Sequence, residues 1–182
     1  MQPLEKLNQQ ILKCTQCPLW QSRQHAVPGE GNCKASIIFI GEAPGKQEDI
    51  EGRPFVGRAG KFLDEMIKSI GLTREDIYIT NIVKCRPPEN RDPKNFEIKA
   101  CRPYLEQQIQ LINPKIIVTL GRHALDWFFP DQQISKVHGQ IFDFDSKYLI
   151  PTLHPAAAVR FQRWRKIIEE DFNIIKKILN KI

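Results

Sequence analysis

Two patterns of apolar residues alternate along the 182-residue chain. Short apolar runs predict buried strands, whereas apolar residues that recur every three or four positions predict helices with one face against a core. The predicted strands are residues 36–40, 77–80, 115–120 and 147–151. The predicted helices are residues 4–12, 59–70 and 96–112, a short helix ending at Phe128, and residues 158–179.

The alternation of strands and helices determines the expected architecture. Strands separated by helices pair in parallel, so the pattern predicts an α/β sandwich built on a parallel sheet. We find no internal repeat or linker and expect one domain over residues 1–182. In such sheets the working residues lie on the loops that follow the strands. Here those loops begin at Gly41, Asn81, Gly121 and His154.

Four of the five cysteines have the spacing of metal ligands. Cys14 and Cys17 form a Cys-x-x-Cys pair, and Cys85 and Cys101 form a second pair further along the chain. Four sulfur ligands from two distant segments suit either an iron–sulfur cluster or a zinc ion, and the spacing leaves both open. Cys33 matches no ligand position, so we expect it to be a free thiol.

Composition narrows the class of protein. Charged residues make up 26% and hydrophobic residues 41% of the chain, as in ordinary globular proteins. No apolar run approaches the length of a membrane span, and the N-terminus lacks the features of a signal peptide. We therefore expect a cytoplasmic protein with no membrane partner. The net charge of +6 is compatible with a polyanionic partner.

The loop at residues 41–45 has the sequence Gly-Glu-Ala-Pro-Gly and follows a predicted strand. It is not a nucleotide-binding P-loop, because the glycine spacing is too short and Gln47 stands where Ser or Thr would hold magnesium. Its backbone amides can instead face a small ligand, with Glu42 and Glu48 as nearby carboxylates. The alternative interpretation is a tight turn bordered by solvated acids.

Three residues near strand ends have the chemistry of a base-binding site. Phe55 lies on a glycine-bounded loop and can stack on a planar ring, or else pack into the core. Asn81 ends a strand and can offer a donor and an acceptor to the edge of a base, or else cap the backbone. A lone histidine is more often structural than catalytic, but the position of His154 beside the other strand-end loops favours a functional role.

Two basic segments have the composition to contact phosphates. Arg86 and Arg91 lie on a proline-rich loop, whereas Arg160 and Arg163 alternate with aromatic residues. The second kind of segment can bind a nucleic-acid backbone while an apolar side chain enters the base stack. The alternatives are a solvated turn for the first segment and a basic helix start for the second.

Together these residues resemble the family 4 uracil-DNA glycosylases, the iron–sulfur branch of the uracil-DNA glycosylase superfamily. The matching pieces follow the family's order and cover nearly the whole chain. They are Cys14 and Cys17, GEAPG at 41–45, PFVGRAG at 54–60, TNIVKCRPP at 80–88, NR at 90–91, Cys101, Gly121, and HP at 154–155.

The resemblance implies a fold, a cofactor and a reaction. The fold is a three-layer α/β/α sandwich with a central four-stranded parallel sheet. The cofactor is a [4Fe–4S] cluster held by Cys14, Cys17, Cys85 and Cys101. The reaction is the hydrolytic removal of uracil from single- or double-stranded uracil-containing DNA, as a step of base excision repair. We expect a monomer that flips the nucleotide out of the duplex and leaves an abasic site.

The resemblance also implies roles for individual residues. His154 would donate a hydrogen bond to uracil O2, Phe55 would stack on the ring, and Asn81 would bind its Watson–Crick edge. The full uracil site would comprise Gly41, Glu42, Ala43, Phe55, Asn81 and His154. Ala43 stands where the best-known branch has a water-activating aspartate. The candidates for activating water are therefore Glu42, Glu48 and Asn90, unless stabilisation of the leaving group suffices.

Two other functions stay open at the level of sequence. A non-catalytic, zinc-stabilised nucleic-acid-binding domain would account for the charge and the cysteines, but it leaves Phe55, Asn81 and His154 unexplained. A sister glycosylase of the same fold would act on mismatched thymine or on hypoxanthine instead of uracil.

Overall fold

Residues 2–182, which the computed structural model describes, form a six-stranded sheet with helices on both faces. The four central strands are parallel, and the strand at each edge pairs antiparallel to its neighbour. The strands are β1 (Glu30–Gly31), β2 (Ile37–Gly41), β3 (Tyr78–Asn81), β4 (Ile116–Leu120), β5 (Phe142–Phe144) and β6 (Lys147–Thr152). Their order across the sheet is β1-β3-β2-β4-β6-β5.

The expected α/β class and the central four-stranded parallel sheet are confirmed. The two edge strands, β1 and β5, were not predicted from the sequence. They contain two and three residues, which is too short for a periodic apolar pattern to emerge. They extend the sheet without changing the order of its parallel centre.

One predicted helix is wrong in its continuity. The segment expected to be helical over residues 158–179 is divided at Phe161, whose backbone is extended at φ −139° and ψ 117°. The buried face of the second helix begins only at Ile168, so no packed stripe holds the preceding residues in one continuous helix. The helices are α1 (Pro3–Leu12), α2 (Lys46–Glu51), α3 (Arg58–Ser69), α4 (Asn95–Ile112), α5 (Arg122–Phe128), α6 (Ile134–Val137), α7 (Pro155–Arg160) and α8 (Gln162–Leu179).

Alternate residues of the central strands face two separate cores, which produces the three layers. In β2, Ile38 and Ile40 pack in the core that includes α1, α4 and α5, whereas Ile37 and Phe39 pack in the core with α3 and α8. Because the central strands are parallel, their carboxyl ends share one edge of the sheet, and the polar loops begin there. Within residues 2–182, no helix has the length and apolar character needed to cross a membrane.

Candidate active site and metal centre

A cleft of about 560 Å³ opens at the carboxyl ends of β2, β3 and β6. It brings together most of the residues that the sequence predicted for uracil binding and catalysis, although they come from distant segments. The predicted residues that line it are Glu42, Ala43, Glu48, Phe55, Asn81, Asn90, His154 and Arg160. Gly41 lies behind this surface, where a Cβ atom would approach the Phe55 ring to 2.5 Å. Only glycine therefore fits at the end of β2.

Phe55 is held in an unusual backbone conformation beside the cleft. Its φ angle is +51°, a left-handed value that is strained for a bulky residue. Gly60 packs so tightly under it that a side chain there would overlap the Phe55 carbonyl group. The Phe55 ring lies 5.8 Å from the His154 ring, with 30° between the two planes. The two rings therefore line neighbouring parts of one site.

Asn81 lines the cleft and has an unpartnered, buried amide oxygen. The residue ends β3 directly opposite Gly41 of β2 and is only 1% exposed. Within residues 2–182, its Oδ1 atom has no hydrogen-bond partner. A buried polar atom without a partner is costly, so such an atom on a residue that lines a cleft points to a ligand that supplies the donor.

His154 is a neutral hydrogen-bond donor. Its Nδ1 atom accepts a hydrogen bond of 3.1 Å from the backbone N–H of Ala156, so the proton of the neutral ring lies on Nε2. Burial lowers the pKa of His154 to about 4, although Glu48 nearby opposes the shift. Gly121 permits the close packing, because a Cβ there would lie 2.9 Å from that of His154. The ring thus keeps one N–H and no charge at neutral pH.

Glu42 lies near two polar residues, His123 and Asp92, that the sequence did not assign to the site. His123 Nε2 lies 3.8 Å from a Glu42 carboxylate oxygen and 3.1 Å from a carboxylate oxygen of Asp92. Arg122 donates to the same Asp92 oxygen at 3.0 Å. Burial raises the pKa of Glu42, and His123 counteracts this. The one available signal for His123 was its position two residues after Gly121, which follows β4 and precedes α5.

Glu48 holds the loops around the cleft together. One carboxylate oxygen accepts a hydrogen bond from the Gly45 N–H at 3.1 Å. The other accepts from the Val56 N–H at 3.0 Å and the Gly57 N–H at 3.1 Å. Both oxygens therefore accept hydrogen bonds from backbone donors, which joins the Gly45 turn to the Phe55 loop, and the role of Glu48 in activating water stays a prediction.

Two of the predicted DNA contacts are engaged within the chain. Arg86 Nε donates to Asn90 Oδ1 at 2.7 Å, which orients the Asn90 amide at the cleft. Arg91 forms a two-bond ion pair with Glu97, at 2.7 and 2.9 Å. The Glu97 carboxylate is only 1% exposed, so Arg91 serves as the partner of a buried charge.

The other two predicted DNA contacts, Arg160 and Arg163, are exposed near the break between α7 and α8. Arg160 is exposed at the end of α7 and lines the cleft. Phe161 follows it with 55% of its surface exposed, which is high for a large apolar residue. The Arg163 guanidinium lies 5.5 Å from the Phe161 ring and 4.8 Å from the Trp164 ring. The break between α7 and α8 therefore presents aromatic and cationic groups together.

The four predicted ligand cysteines line a single cavity on the opposite face of the sheet from α3. Cys14 and Cys17 come from the segment after α1, Cys85 from the loop after β3, and Cys101 from α4. Burial raises the pKa of the Cys17 and Cys85 thiols and brings that of Cys101 to about 12. Such thiols are poor nucleophiles, and a bound metal centre would convert them to thiolates.

Arg23 and Lys84 connect this cavity to its surroundings. Arg23 donates to Cys85 Sγ at 3.0 Å, the kind of bond that supports a ligating sulfur. Lys84 lines the cavity and is buried, and its ammonium group donates to Thr80, Asn81 and Gln108 at 2.6 to 2.7 Å. One of these bonds reaches the backbone carbonyl of Asn81. Cys33 lies apart from the cavity, where its thiol donates to Gln2.

The chain is similar to known proteins over nearly its whole length. A model of the uracil DNA glycosylase superfamily matches residues 28–180. A type-4 uracil-DNA glycosylase of Sulfurisphaera tokodaii is 53% identical, over 98% of this chain and 86% of the relative. The type-4 enzyme of Saccharolobus solfataricus is 52% identical, over 99% and 88% of the two chains. That of Archaeoglobus fulgidus is 43% identical, over 100% and 96%.

Proposed function

Because the chain belongs to the uracil DNA glycosylase superfamily, in its type-4 branch, we propose that it excises uracil from DNA during base excision repair. The observation that carries this proposal is the convergence of Phe55, Asn81 and His154 on one cleft. They supply an aromatic plane, an amide edge and a neutral N–H donor. These are the three kinds of contact that a flipped pyrimidine needs.

Recognition of uracil rests on Asn81 and Phe55. The free Oδ1 of Asn81 matches the N3–H donor of uracil, and the amide N–H₂ matches the O4 acceptor. Cytosine presents the opposite donor and acceptor at these two positions, so an amide held in this orientation rejects it. The Phe55 ring supplies the stacking surface. Because its backbone is held in place, little conformational freedom is lost on binding.

Cleavage depends on stabilising the negative charge of the departing base. As the glycosidic bond breaks, positive charge develops on the sugar and negative charge on uracil. The Nε2–H of His154 donates to uracil O2, where part of that charge collects, so its bond strengthens in the transition state. A neutral ring is the suitable donor, because it stabilises the anion without transferring a proton.

Water enters from the side of Glu42 and Asn90. Both residues line the cleft, whereas the Ala43 methyl group offers no acceptor. Glu42 accepts from the water in its ionised form, and the contact with His123 favours that form against the effect of burial. Asn90, oriented by Arg86, supplies a second polar contact. Glu48 keeps the loops around the cleft in place.

We further propose that Cys14, Cys17, Cys85 and Cys101 hold a [4Fe–4S] cluster. Four thiols on one apolar-walled cavity fit such a group. The positive charge of Arg23, which donates to Cys85, would offset part of the negative charge of the four ligating thiolates. The cluster would tie the end of α1 to α4 and to the loop after β3, and it would supply no chemistry at the base. Ligand thiols require a reducing compartment, which supports a cytoplasmic enzyme.

The DNA strand would lie across the surface formed by Arg160, Phe161 and Arg163 at the break between α7 and α8, beside the cleft that Arg160 and Phe161 line. The decisive test incubates the purified protein with labelled oligonucleotides containing uracil, mismatched thymine or hypoxanthine, followed by alkaline cleavage of abasic sites. We expect strand breaks at uracil in both single- and double-stranded DNA. Release of thymine or hypoxanthine without release of uracil would contradict the proposal.

A further inference from the structure

Arg74 binds the backbone of the Phe55 loop from outside the cleft. It lies in the turn between α3 and β3, is not among the residues that line the cleft, and its side chain is 19% exposed. Nη1 donates to the Pro54 carbonyl at 2.9 Å, and Nη2 donates to the Phe55 carbonyl. One guanidinium group therefore holds two consecutive carbonyl groups of the loop that carries the stacking ring.

Two carboxylates orient this guanidinium. Arg74 Nε donates to Asp64 Oδ1 at 2.7 Å, and Nη1 also lies 3.2 Å from Glu30 Oε1. Asp64 belongs to α3 and Glu30 to the edge strand β1, so the side chain is anchored to two different elements. A planar group with five donors in a rigid fork suits this task, whereas a lysine would supply one point charge.

The loop needs such support. A bulky residue with φ of +51° is in a strained conformation that persists only where its surroundings hold it. Gly60 removes a steric conflict below the Phe55 carbonyl, but glycine supplies no attraction. The bonds from Arg74 supply that attraction at the same carbonyl.

We propose that Arg74 is a positioning residue for base recognition, which acts through the backbone of Phe55 to keep its ring at the uracil site. The proposal rests on the proposed function, since the ring is taken to stack on uracil. It concerns a residue that does not touch the substrate.

Arg53 provides a matched control. It also pairs with Glu30, at 2.6 and 3.0 Å, but its side chain is 55% exposed and it contacts neither loop carbonyl. We would compare Arg74→Gln with Arg53→Gln in binding to DNA that carries a 2′-fluorinated, uncleavable deoxyuridine. We expect Arg74→Gln to weaken binding about tenfold, on the scale of a lost base–aromatic stack. Arg53→Gln should bind as the wild type does, and an equal loss in the two variants would overturn the proposal.

A double-mutant cycle separates positioning from general destabilisation. If Arg74 acts through Phe55, Arg74→Gln should cause almost no further loss of binding in a Phe55→Ala background. The full tenfold loss in that background would overturn the proposal. Arg74→Lys should recover part of the affinity, and it serves as the test variant if Arg74→Gln does not fold.

Limited proteolysis gives a readout that does not require activity. Arg74→Gln should increase cleavage at residues 53–57, whereas Arg53→Gln should leave the rate as in the wild type. If the wild-type protein did not excise uracil, the proposed function would be wrong. The proteolysis pattern would still show whether Arg74 holds the loop at residues 53–57 in place. Unchanged proteolysis of Arg74→Gln would contradict the positioning role whatever the activity.

Discussion

The rings of Phe55 and His154 lie 5.8 Å apart with 30° between their planes, although 99 positions separate them along the chain. One residue comes from the loop before α3, and the other caps α7. The ring for stacking and the donor for the leaving group therefore lie side by side in one site. Each of the two side chains is held in position by a different segment of the chain. Substitutions at either residue should accordingly affect different steps of the reaction.

Replacing His154 should slow cleavage far more than it weakens binding. His154→Ala removes a donor whose bond strengthens in the transition state, and loss of such a donor costs about 100- to 1,000-fold in rate. Single-turnover cleavage and binding to uncleavable uracil DNA should be measured on the same preparation. A loss of affinity with an unchanged single-turnover rate would show that His154 only positions the base.

The protonation of His154 gives a prediction about pH. With a pKa of about 4 in the fold and 6.5 as the ordinary value, the unfolded chain takes up a proton at higher pH than the folded chain. This contribution to stability is therefore present above pH 6.5 and is lost as the pH falls toward 4. Nitrogen NMR should show a His154 ring that carries its proton on Nε2 between pH 8 and 5. A ring that becomes doubly protonated near pH 6.5 would contradict this.

Asn81 should determine the choice of base. Asn81→Asp keeps the size of the side chain but replaces the amide donor by an acceptor, so the contact with uracil O4 is lost. We expect kcat/KM on uracil DNA to fall about 10- to 100-fold, as when one two-bond base contact is removed. The matched measurement is cleavage of cytosine-containing DNA by the same variant. Full activity on uracil in Asn81→Asp would exclude this recognition role.

The sequence predicted those features of the site that depend on strand order. Parallel strands bring their carboxyl ends to one edge, so Asn81 and His154 could be expected at one cleft before their contacts were known. Glycines at residues 41 and 60 matched a family pattern, but their purpose, which is to leave room for Phe55, emerges only from packing.

Pairings between loops were beyond the reach of the sequence. Glu48 is a carboxylate beside the first loop, and nothing in its local pattern reveals that its acceptors are taken by Val56 and Gly57. His123 lies near Glu42 because α5 begins directly after β4, a geometry that apolar periodicity does not report. The break at Phe161 was missed because helix propensity depends on the local sequence and does not report where a helix lacks packing partners.

The cysteine cavity predicts a specific loss of metal. Cys85→Ser should abolish the iron content and the visible absorbance of freshly purified protein, because one of four ligands is removed. Cys33→Ser is the matched control, since Cys33 lies outside the cavity. This variant should retain both the iron and the visible absorbance. Chelation of the metal should also lower the melting temperature, because the centre would tie α1 to α4. Stoichiometric zinc in colourless wild-type protein would refute the cluster.

Two arginines that look alike in sequence should respond differently to the same change. Arg160 is exposed at the rim of the cleft, so Arg160→Gln should weaken binding to any DNA and reduce the slope of log affinity against log salt by about 1. Arg91 is the partner of the buried Glu97, so Arg91→Gln should instead lower the melting temperature and leave the salt slope nearly unchanged. Fluorescence anisotropy over a salt series, with thermal unfolding of both variants, measures the two effects. If Arg91→Gln reduced the slope without any change in melting temperature, the Glu97 pair would not be its main role, and Arg91 would be a phosphate contact.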